Sequence, residues 1–341
     1  MPNSRRKREP GTPPRSIVMA AALALAAATG VAVWLLPAQA TPETPVAAPA
    51  KPPPPVTTTV TATPRPLAAE GPSAFLAFVD TARTPEFDLP GHSRRTGVRW
   101  YALGHVVSGG DGCVPKWGGK LDPGSNPVAN RIGRLRAGGA DAGLSFGGPA
   151  GRELADACDG TTSLTAAYRR VVSAFDARFA DFEIRDSANA DVVLRRARAL
   201  RALQQERPLH LTFTFPLGPG GLSERDAALL KLTHDAGARI STVNLLAAIE
   251  PGDAPEGRMR RVAEAVRAAH GQIARTLGIT DPAQAWRSLA LTSVLVSPGD
   301  LGEIDARKLT TFAARYELAW LSLRGATPSQ SVSRILWRTR A

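Results

Sequence analysis

From Ser73 onward, short apolar segments alternate with longer segments whose apolar residues recur with the period of a helix. Regular alternation of this kind predicts parallel strands that are joined by helices. The predicted strands are Ser73–Val79, Trp100–Val107, Asp141–Phe146, Ala180–Arg185, Leu209–Phe215, Thr242–Leu246, Leu289–Val296 and Leu318–Leu323. Eight strands in about 270 residues favour a (β/α)8 TIM barrel over an open doubly wound sheet.

Local signals also mark the helices between these strands. The predicted helices are Pro127–Ala137, Leu164–Ala174, Ala190–Gln205, Ala227–Ala236, Arg258–Leu277 and Asp305–Tyr316. Ser223 and Asp226 resemble a capping box, and Gly237 is the expected stop of the helix that follows them. A Rossmann sheet would need a Gly-rich turn after the first strand, and none follows Val79.

The N-terminal residues predict export from the cytoplasm. A basic cluster, Arg5–Arg8, precedes an uncharged stretch, Ile17–Leu36, which as a helix rising about 1.5 Å per residue is long enough to span a hydrocarbon core about 30 Å thick. The basic cluster is expected to stay in the cytoplasm, which places the rest of the chain outside. We therefore expect a cytoplasmic basic tail at residues 1–16, a transmembrane anchor or signal sequence at 17–36, a Pro/Thr/Ala-rich linker at 37–72 and the barrel at 73–341. Cleavage near Ala40 would instead release a secreted protein.

Charge and composition restrict the partners. The formal net charge of +12 favours anionic surfaces, but the basic residues are scattered and no nucleic-acid-binding motif accompanies them, so we expect no nucleic-acid partner. The five histidines show no ligand spacing with each other or with the cysteines, so we expect no metal or cofactor. An exported compartment permits a disulfide between Cys113 and Cys158, but the sequence leaves open whether the bond forms.

Two consecutive predicted strands carry motifs at their carboxyl ends, where a barrel of this type places its chemistry. The third strand leads into SFGG at residues 145–148, and the fourth includes DFEIR at residues 181–185. Together they resemble the Ser-x-Gly-Gly and Asp-x-x-Asp-x-Asp-x-Glu signatures of the family-18 glycoside hydrolases. Residues 104–119 resemble the second-strand loop of the bacterial chitinase branch of that family. The resemblance covers nearly all of residues 73–325.

The resemblance implies a specific chemistry and its loss. In this family the substrate's N-acetyl group is the nucleophile, the last Glu of the signature protonates the leaving oxygen, and the preceding Asp orients the acetamido group. Asp181 matches the middle Asp of the signature, Glu183 replaces the last Asp, and Arg185 replaces the catalytic Glu. Alternation points all three side chains into the barrel. Arginine stays protonated at ordinary pH, so the resemblance implies that the proton donor has been lost.

Other positions depart from the family in the same direction. The family's sixth strand carries an Asp–Tyr pair that holds the acetamido group, but here Asn244 is followed by apolar residues. Its eighth strand ends in a Trp that floors the sugar site, but here the strand leads into Arg324. The candidate substrate-binding residues are Ser145, Gly147, Gly148, Asn244, Trp117 and Arg324, with Trp117 a candidate for stacking on a sugar ring.

Several interpretations remain open from the sequence. The leading one is a catalytically inactive barrel that binds a glycan or an envelope partner in the former substrate cleft. If the signature instead runs from Asp176 to Glu183, Glu183 becomes the acid and the protein is an active hydrolase of N-acetylglucosamine polymers. A third interpretation is a protein-binding scaffold without a ligand. We expect Arg185 to pair with Asp181 and Glu183, and the alternative is an anion site formed by Arg185 and Arg324.

Overall fold

The computed structural model describes residues 71–110, 112–185, 189–254 and 256–338. The predicted basic tail, the predicted anchor or signal sequence and all but the last two residues of the predicted linker lie outside these ranges. Among the residues described, no helix combines the length and the apolar character that crossing a membrane requires.

The strands of the described domain close into a barrel. In chain order they are β1 (Ala74–Asp80), β2 (Trp100–Ser108), β3 (Pro115–Trp117), β4 (Asp141–Gly147), β5 (Phe179–Glu183), β6 (His210–Pro216), β7 (Ile240–Ala248), β8 (Leu289–Leu295) and β9 (Trp320–Gly325). Apart from β3, which runs antiparallel along the end of β2, neighbouring strands are parallel and follow the chain order. Strand β1 pairs with both β2 and β9, which closes the sheet. The predicted (β/α)8 barrel is confirmed.

Helices follow the strands around the barrel. They are α1 (Leu89–Thr96), α2 (Ile132–Ala137), α3 (Leu154–Ala157), α4 (Thr161–Ala174), α5 (Ala190–Glu206), α6 (Glu224–Asp235), α7 (Arg258–Thr276), α8 (Pro282–Arg287), α9 (Glu303–Tyr316) and α10 (Gln330–Trp337). Half of the capping box predicted for α6 forms, because Ser223 Oγ accepts a hydrogen bond from the Asp226 N–H at 3.1 Å. The Asp226 carboxylate accepts from Ser223 Oγ. Gly237 follows this helix with a φ of 89°, the left-handed conformation that commonly ends a helix.

Apolar side chains pack on both faces of the barrel sheet. On the outward face of the sheet, aromatic rings pack beneath the helices, with Phe182 stacked on Phe146 at 5.1 Å and on Phe213 at 5.6 Å between ring centroids. Inside the barrel, large side chains from the amino ends of the strands, including Trp100 and Trp320, form a second buried cluster. Because this cluster fills the amino end, the polar residues inside the barrel lie toward its carboxyl end.

Strand β5 ends earlier than the sequence predicts. It stops at Glu183 instead of reaching Arg185, so that part of the strand prediction is wrong. The physical reason lies in its partner β4, where Gly147 pairs with Glu183 in the last rung and then adopts a φ of 80° that turns the chain away from the sheet. The inward positions at Asp181 and Glu183 agree with the predicted alternation, whereas Arg185 lies beyond the strand.

A disulfide and a pair of arginines hold the loops at the carboxyl end. Cys113, which follows β2, is bonded to Cys158, which follows α3. From helix α5, Arg195 donates hydrogen bonds to the carbonyls of Ala155 and Cys158, at 2.7 and 2.8 Å. The neighbouring Arg196 is fully buried and pairs with Glu153. The loop after β4 is therefore fastened to both β2 and α5.

Candidate ligand site at the carboxyl end of the barrel

Glu183 is the centre of a charged cluster inside the barrel. Its side chain is 1% exposed. Its Oε1 accepts hydrogen bonds from Arg185 Nε and Nη2, at 3.0 and 2.8 Å. Its Oε2 accepts from His105 Nε2 at 3.0 Å and from Arg324 Nη1. Both carboxylate oxygens are therefore fully engaged by neighbouring side chains.

These contacts keep Glu183 ionised. Burial alone would raise the pKa of this carboxyl group, because burial disfavours the charged form. The hydrogen bond from His105 and the charge of Arg324 outweigh burial, with a further contribution from Arg185, and hold the pKa well below its usual range. Glu183 is thus a fixed negative charge that organises the cationic groups around it.

Asp181 lies two residues deeper on the same face of β5. Its Oδ2 accepts from Ser145 Oγ at 2.7 Å, its Oδ1 accepts from Thr214 Oγ1 at 2.5 Å, and Arg324 Nη2 is 3.6 Å away. Burial raises the pKa of Asp181, although the charge of Arg324 and the two hydroxyl hydrogen bonds oppose the shift. Asp181 and Glu183 are therefore adjacent carboxyl groups whose pKa values are shifted in opposite directions.

Asn244 belongs to a hydrogen-bonded row across the barrel interior. Its Nδ2 donates to Thr214 Oγ1 at 3.0 Å, and its Oδ1 accepts from Thr292 Oγ1 at 2.9 Å. Thr214 in turn donates to Asp181. The side chain is buried, and all its described contacts are with other barrel residues.

Arg324 brings the last strand to the cluster. Its guanidinium contacts both Asp181 and Glu183, and its Cζ lies 3.9 Å from the centre of the Phe78 ring on β1. Three buried donors from the inward row of β9, Trp320 Nε1, Ser322 Oγ and Arg324 Nε, have no hydrogen-bond partner among the described residues. All three residues line one internal cavity of about 10 Å³, measured as the space open to the centre of a water molecule. A cavity of this size fits a single water.

Arg185 is the cluster residue that reaches solvent. Its side chain is 45% exposed, against 11% for both Arg324 and His105. Among the described residues it pairs with Glu183 and not with Asp181, so the expected pairing with both acids is only half correct. The reason is the early end of β5, which leaves Arg185 above the last rung of the sheet, while Arg324 occupies the position next to Asp181.

Ser145, Gly147 and Gly148 shape the wall beside β5. Ser145 is buried and bonded to Asp181. A Cβ on Gly147 would lie 2.4 Å from the Glu183 carbonyl oxygen, and one on Gly148 would lie 2.4 Å from His105 Cδ2. Both glycines also have positive φ angles, of 80° and 95°. Their contacts are with the backbone and the side chains of the cluster, and they let β4 approach it closely.

The suggestion that Trp117 stacks on a sugar ring is wrong. Its side chain is buried, its Nε1 donates to the Pro123 carbonyl at 3.2 Å, and its ring makes an edge contact with Phe175. The short strand β3 explains this position, because Trp117 pairs with Val106 of β2 and so packs into the core. Trp117 offers no exposed face to a ligand.

Sequence reasoning missed two members of the cluster. His105 and Phe78 lie within predicted strands, but no motif in the sequence marks either of them as a site residue. The register between β2 and β4 shifts between Leu103 and Val106, and this irregularity breaks the simple alternation that would have placed His105 on the outward face. A glycine before the histidine was the only local signal of such a break.

No family model matches the chain. The chain is 26% identical over 180 residues to a "Probable bifunctional chitinase/lysozyme" of Escherichia coli (strain K12), an alignment that covers 50% of this chain and 20% of that much longer protein. Active domain 2 of a thermostable chitinase from Pyrococcus furiosus, as a catalytic-site mutant complexed with chito-oligosaccharides, superposes with a TM-score of 0.68 at 20% identity, over 79% of this chain and 95% of that one. The barrel is chitinase-like.

A second structure supports the same assignment of the fold. A GH18 chitinase from Pseudoalteromonas aurantia matches with a TM-score of 0.52 at 13% identity, over 77% of this chain and 98% of that chain. The barrel fold that the resemblance to family 18 implies is therefore confirmed. At these identities the solved structures establish the fold of the chitinase-like barrel and not its activity.

Proposed function

We propose that this chain is a non-catalytic, chitinase-like barrel that binds a glycan at the carboxyl end of its strands, outside the cytoplasmic membrane. The observation that carries the proposal is the arrangement around Glu183. Arg185 stands where the resemblance places the catalytic Glu, at the carboxyl end of the strands, which we call the mouth of the barrel. Its side chain pairs with Glu183 and cannot serve as an acid.

The electrostatics support the loss of catalysis. A general acid must be protonated near the working pH and must reach the leaving oxygen. Glu183 is held ionised by neighbouring cations, is sealed from solvent and has both oxygens engaged. Asp181 has a raised pKa but is buried deeper and bonded to Ser145 and Thr214. Neither group is suited to the role, which weighs against an active hydrolase that uses Glu183.

A glycan ligand is supported by the fold and its relatives. The site lies at the carboxyl ends of the strands, where barrels of this type bind their ligands. One structural neighbour is a chitinase domain complexed with chito-oligosaccharides, and the protein matched in sequence is named a chitinase/lysozyme. We infer that the former substrate cleft retained its ligand class while the proton donor was replaced.

Two features support a location outside the cytoplasm. The Arg5–Arg8 cluster followed by the uncharged stretch Ile17–Leu36 is the sequence pattern of an exported protein. The disulfide between Cys113 and Cys158 suits an oxidising compartment. Protease added to intact cells whose wall has been removed should degrade the barrel, and complete protection of the barrel would contradict this location.

Binding is tested by calorimetry with soluble N-acetylglucosamine oligomers. The proposal predicts measurable heat that saturates at millimolar ligand or below. If no heat is measured at millimolar ligand, the proposal that the site binds a glycan is excluded, and a scaffold that binds another protein is favoured.

Hydrolysis is tested with a fluorogenic N-acetylglucosamine oligomer. The proposal predicts background rates for the wild type, for Glu183→Gln and for the control Glu206→Gln, which alters an exposed ion pair on α5. Turnover by the wild type that Glu183→Gln abolishes and Glu206→Gln retains would overturn the non-catalytic assignment.

A further inference from the structure

We propose that the mouth of the barrel selects glycans that carry a carboxylate, through a two-point hydrogen-bonded ion pair with Arg185. This inference rests on the proposed function, because it names the class of glycan that the same site prefers. It differs from an anion site shared by Arg185 and Arg324, because Arg324 is occupied by Asp181 and Glu183.

Within the part of the chain that the structure describes, the hydrogen bonds of Arg185 leave one edge of its guanidinium for a ligand. A guanidinium group has five N–H donors. The described contacts of Arg185 use Nε and Nη2, both on Glu183 Oε1. Nη1 and the second hydrogen of Nη2 form the end-on edge of the guanidinium, which is the edge that accepts a carboxylate by two parallel hydrogen bonds.

The position of the guanidinium is fixed before any ligand arrives. Hydrogen bonds from His105 and Arg324, in addition to those from Arg185, immobilise Glu183. Glu183 in turn holds the Nε and Nη2 edge of the Arg185 guanidinium in place. Because the fork is planar and already paired on one edge, little conformational freedom remains to be lost when the other edge binds. The site is therefore preorganised for a planar oxyanion.

The charges around the mouth favour an anion over a neutral sugar. Glu183 carries one negative charge that two arginines share, and Asp181 is buried with a raised pKa. Of the three cationic residues described around Glu183, Arg185 is the one whose side chain is substantially exposed to solvent. The chain as a whole is also strongly basic, with a formal net charge of +12, which increases the encounter rate with acidic polymers.

A matched pair of ligands isolates the carboxylate. One oligomer alternates N-acetylglucosamine with its 3-O-lactyl ether, and the second is the same oligomer with each carboxylate converted to a primary amide. Calorimetry with the full-length protein should give a dissociation constant that is roughly tenfold lower for the acid than for the amide, the gain typical of a hydrogen bond to a charged group. An N-acetylglucosamine oligomer carrying 6-phosphates shows whether any oxyanion suffices; a preference for phosphate over carboxylate would overturn the two-point carboxylate geometry.

Variants assign the preference to Arg185. Arg185→Gln should bring the acid-to-amide affinity ratio close to one, and Arg185→Lys should retain only part of it, because lysine keeps the charge and loses the planar fork. Arg198→Gln, which alters an exposed arginine on the outer face of α5, should keep the wild-type ratio. Circular dichroism of each variant checks that the barrel is folded.

The possible outcomes distinguish failure of carboxylate selection from failure of the proposed glycan binding. Equal affinity of the wild type for the acid and the amide overturns carboxylate selection while glycan binding stands. Loss of the preference in Arg198→Gln as well would reduce it to general charge attraction and would overturn the role of Arg185. No binding of any oligomer would remove the proposed function itself.

Discussion

At the scale of single residues, the cluster surrounds one buried carboxylate with cationic side chains. Arg185 places a positive charge beside Oε1 of Glu183, and Arg324 places a second beside Oε2. Two cations around one carboxylate make Glu183 a structural counter-ion. A buried charge of this kind is costly to leave unpaired, so the two arginines and Glu183 depend on one another.

Replacing Glu183 with glutamine should therefore destabilise the domain. Glu183→Gln keeps the size of the side chain but removes the negative charge from Arg324 and His105, both largely buried. Removing one partner of a buried ion pair typically costs about 3–5 kcal/mol, and urea unfolding measures the loss. The matched control is Glu206→Gln on an exposed pair with Arg169, for which little change is expected. Equal stability of Glu183→Gln and the wild type would show that the cluster is not a stabilising unit.

The pH dependence of stability should carry the signature of Glu183. Its pKa in the folded protein lies below the ordinary value of 4.5, so its stabilising contribution is present above about pH 4.5 and is lost as the pH falls below it. Asp181 has the opposite sign, because its raised pKa favours the folded state at low pH and loses this contribution as the pH rises through the raised value. The gap in unfolding free energy between the wild type and Glu183→Gln should shrink from about pH 6 to about pH 3. A constant gap over that range would contradict the assignment.

At the scale of strands and helices, local sequence patterns predicted which elements exist better than they predicted where each element ends. The barrel strands were recognised from alternation and spacing, whereas β3 was missed because three residues carry no detectable period. Helix α1 is not among the predicted helices, because Pro90 and Gly91 at its start are residue types that are common in turns. The inward orientation of Asp181 and Glu183 was predicted from the alternation of side chains along a pleated strand. That of His105 was not, because the register shift in β2 depends on how β2 meets β4 and not on β2 alone.

The loops at the carboxyl end depend on the disulfide as an element of their own. The bond joins cysteines 45 residues apart, and closing a loop of that length restricts the unfolded chain by up to about 4 kcal/mol in the chain-entropy view. The double variant Cys113→Ala/Cys158→Ala should lose roughly 2–4 kcal/mol of unfolding free energy. Wild-type protein in reductant should match the double variant in urea unfolding, and the double variant should not respond to reductant. A wild type that is insensitive to reductant would argue against this contribution.

At the scale of the whole barrel, closure creates the site. Glu183 meets His105 from 78 residues earlier and Arg324 from 141 residues later, and these contacts form only because the sheet wraps round. This is why the sequence could predict the barrel, the two inward acids and the nearby partner Arg185, but not the distant partners of Glu183, His105 and Arg324. Each strand is specified by its own pattern, whereas the contacts across the barrel follow from the closure, tilt and register of all the strands together.

Strand β1 tests this dependence directly. It pairs with both β2 and β9, and its Phe78 packs against the Arg324 guanidinium. A chain that begins at Gly71 keeps β1 and should retain a near-ultraviolet circular dichroism signal and a cooperative melt. A chain that begins at Thr81 lacks it, which exposes two strand edges and removes the ring beneath Arg324, so it should aggregate or lose fixed tertiary structure. A folded, monomeric Thr81 form with a melting temperature near that of the Gly71 form would mean that the cluster around Glu183 does not need a closed barrel.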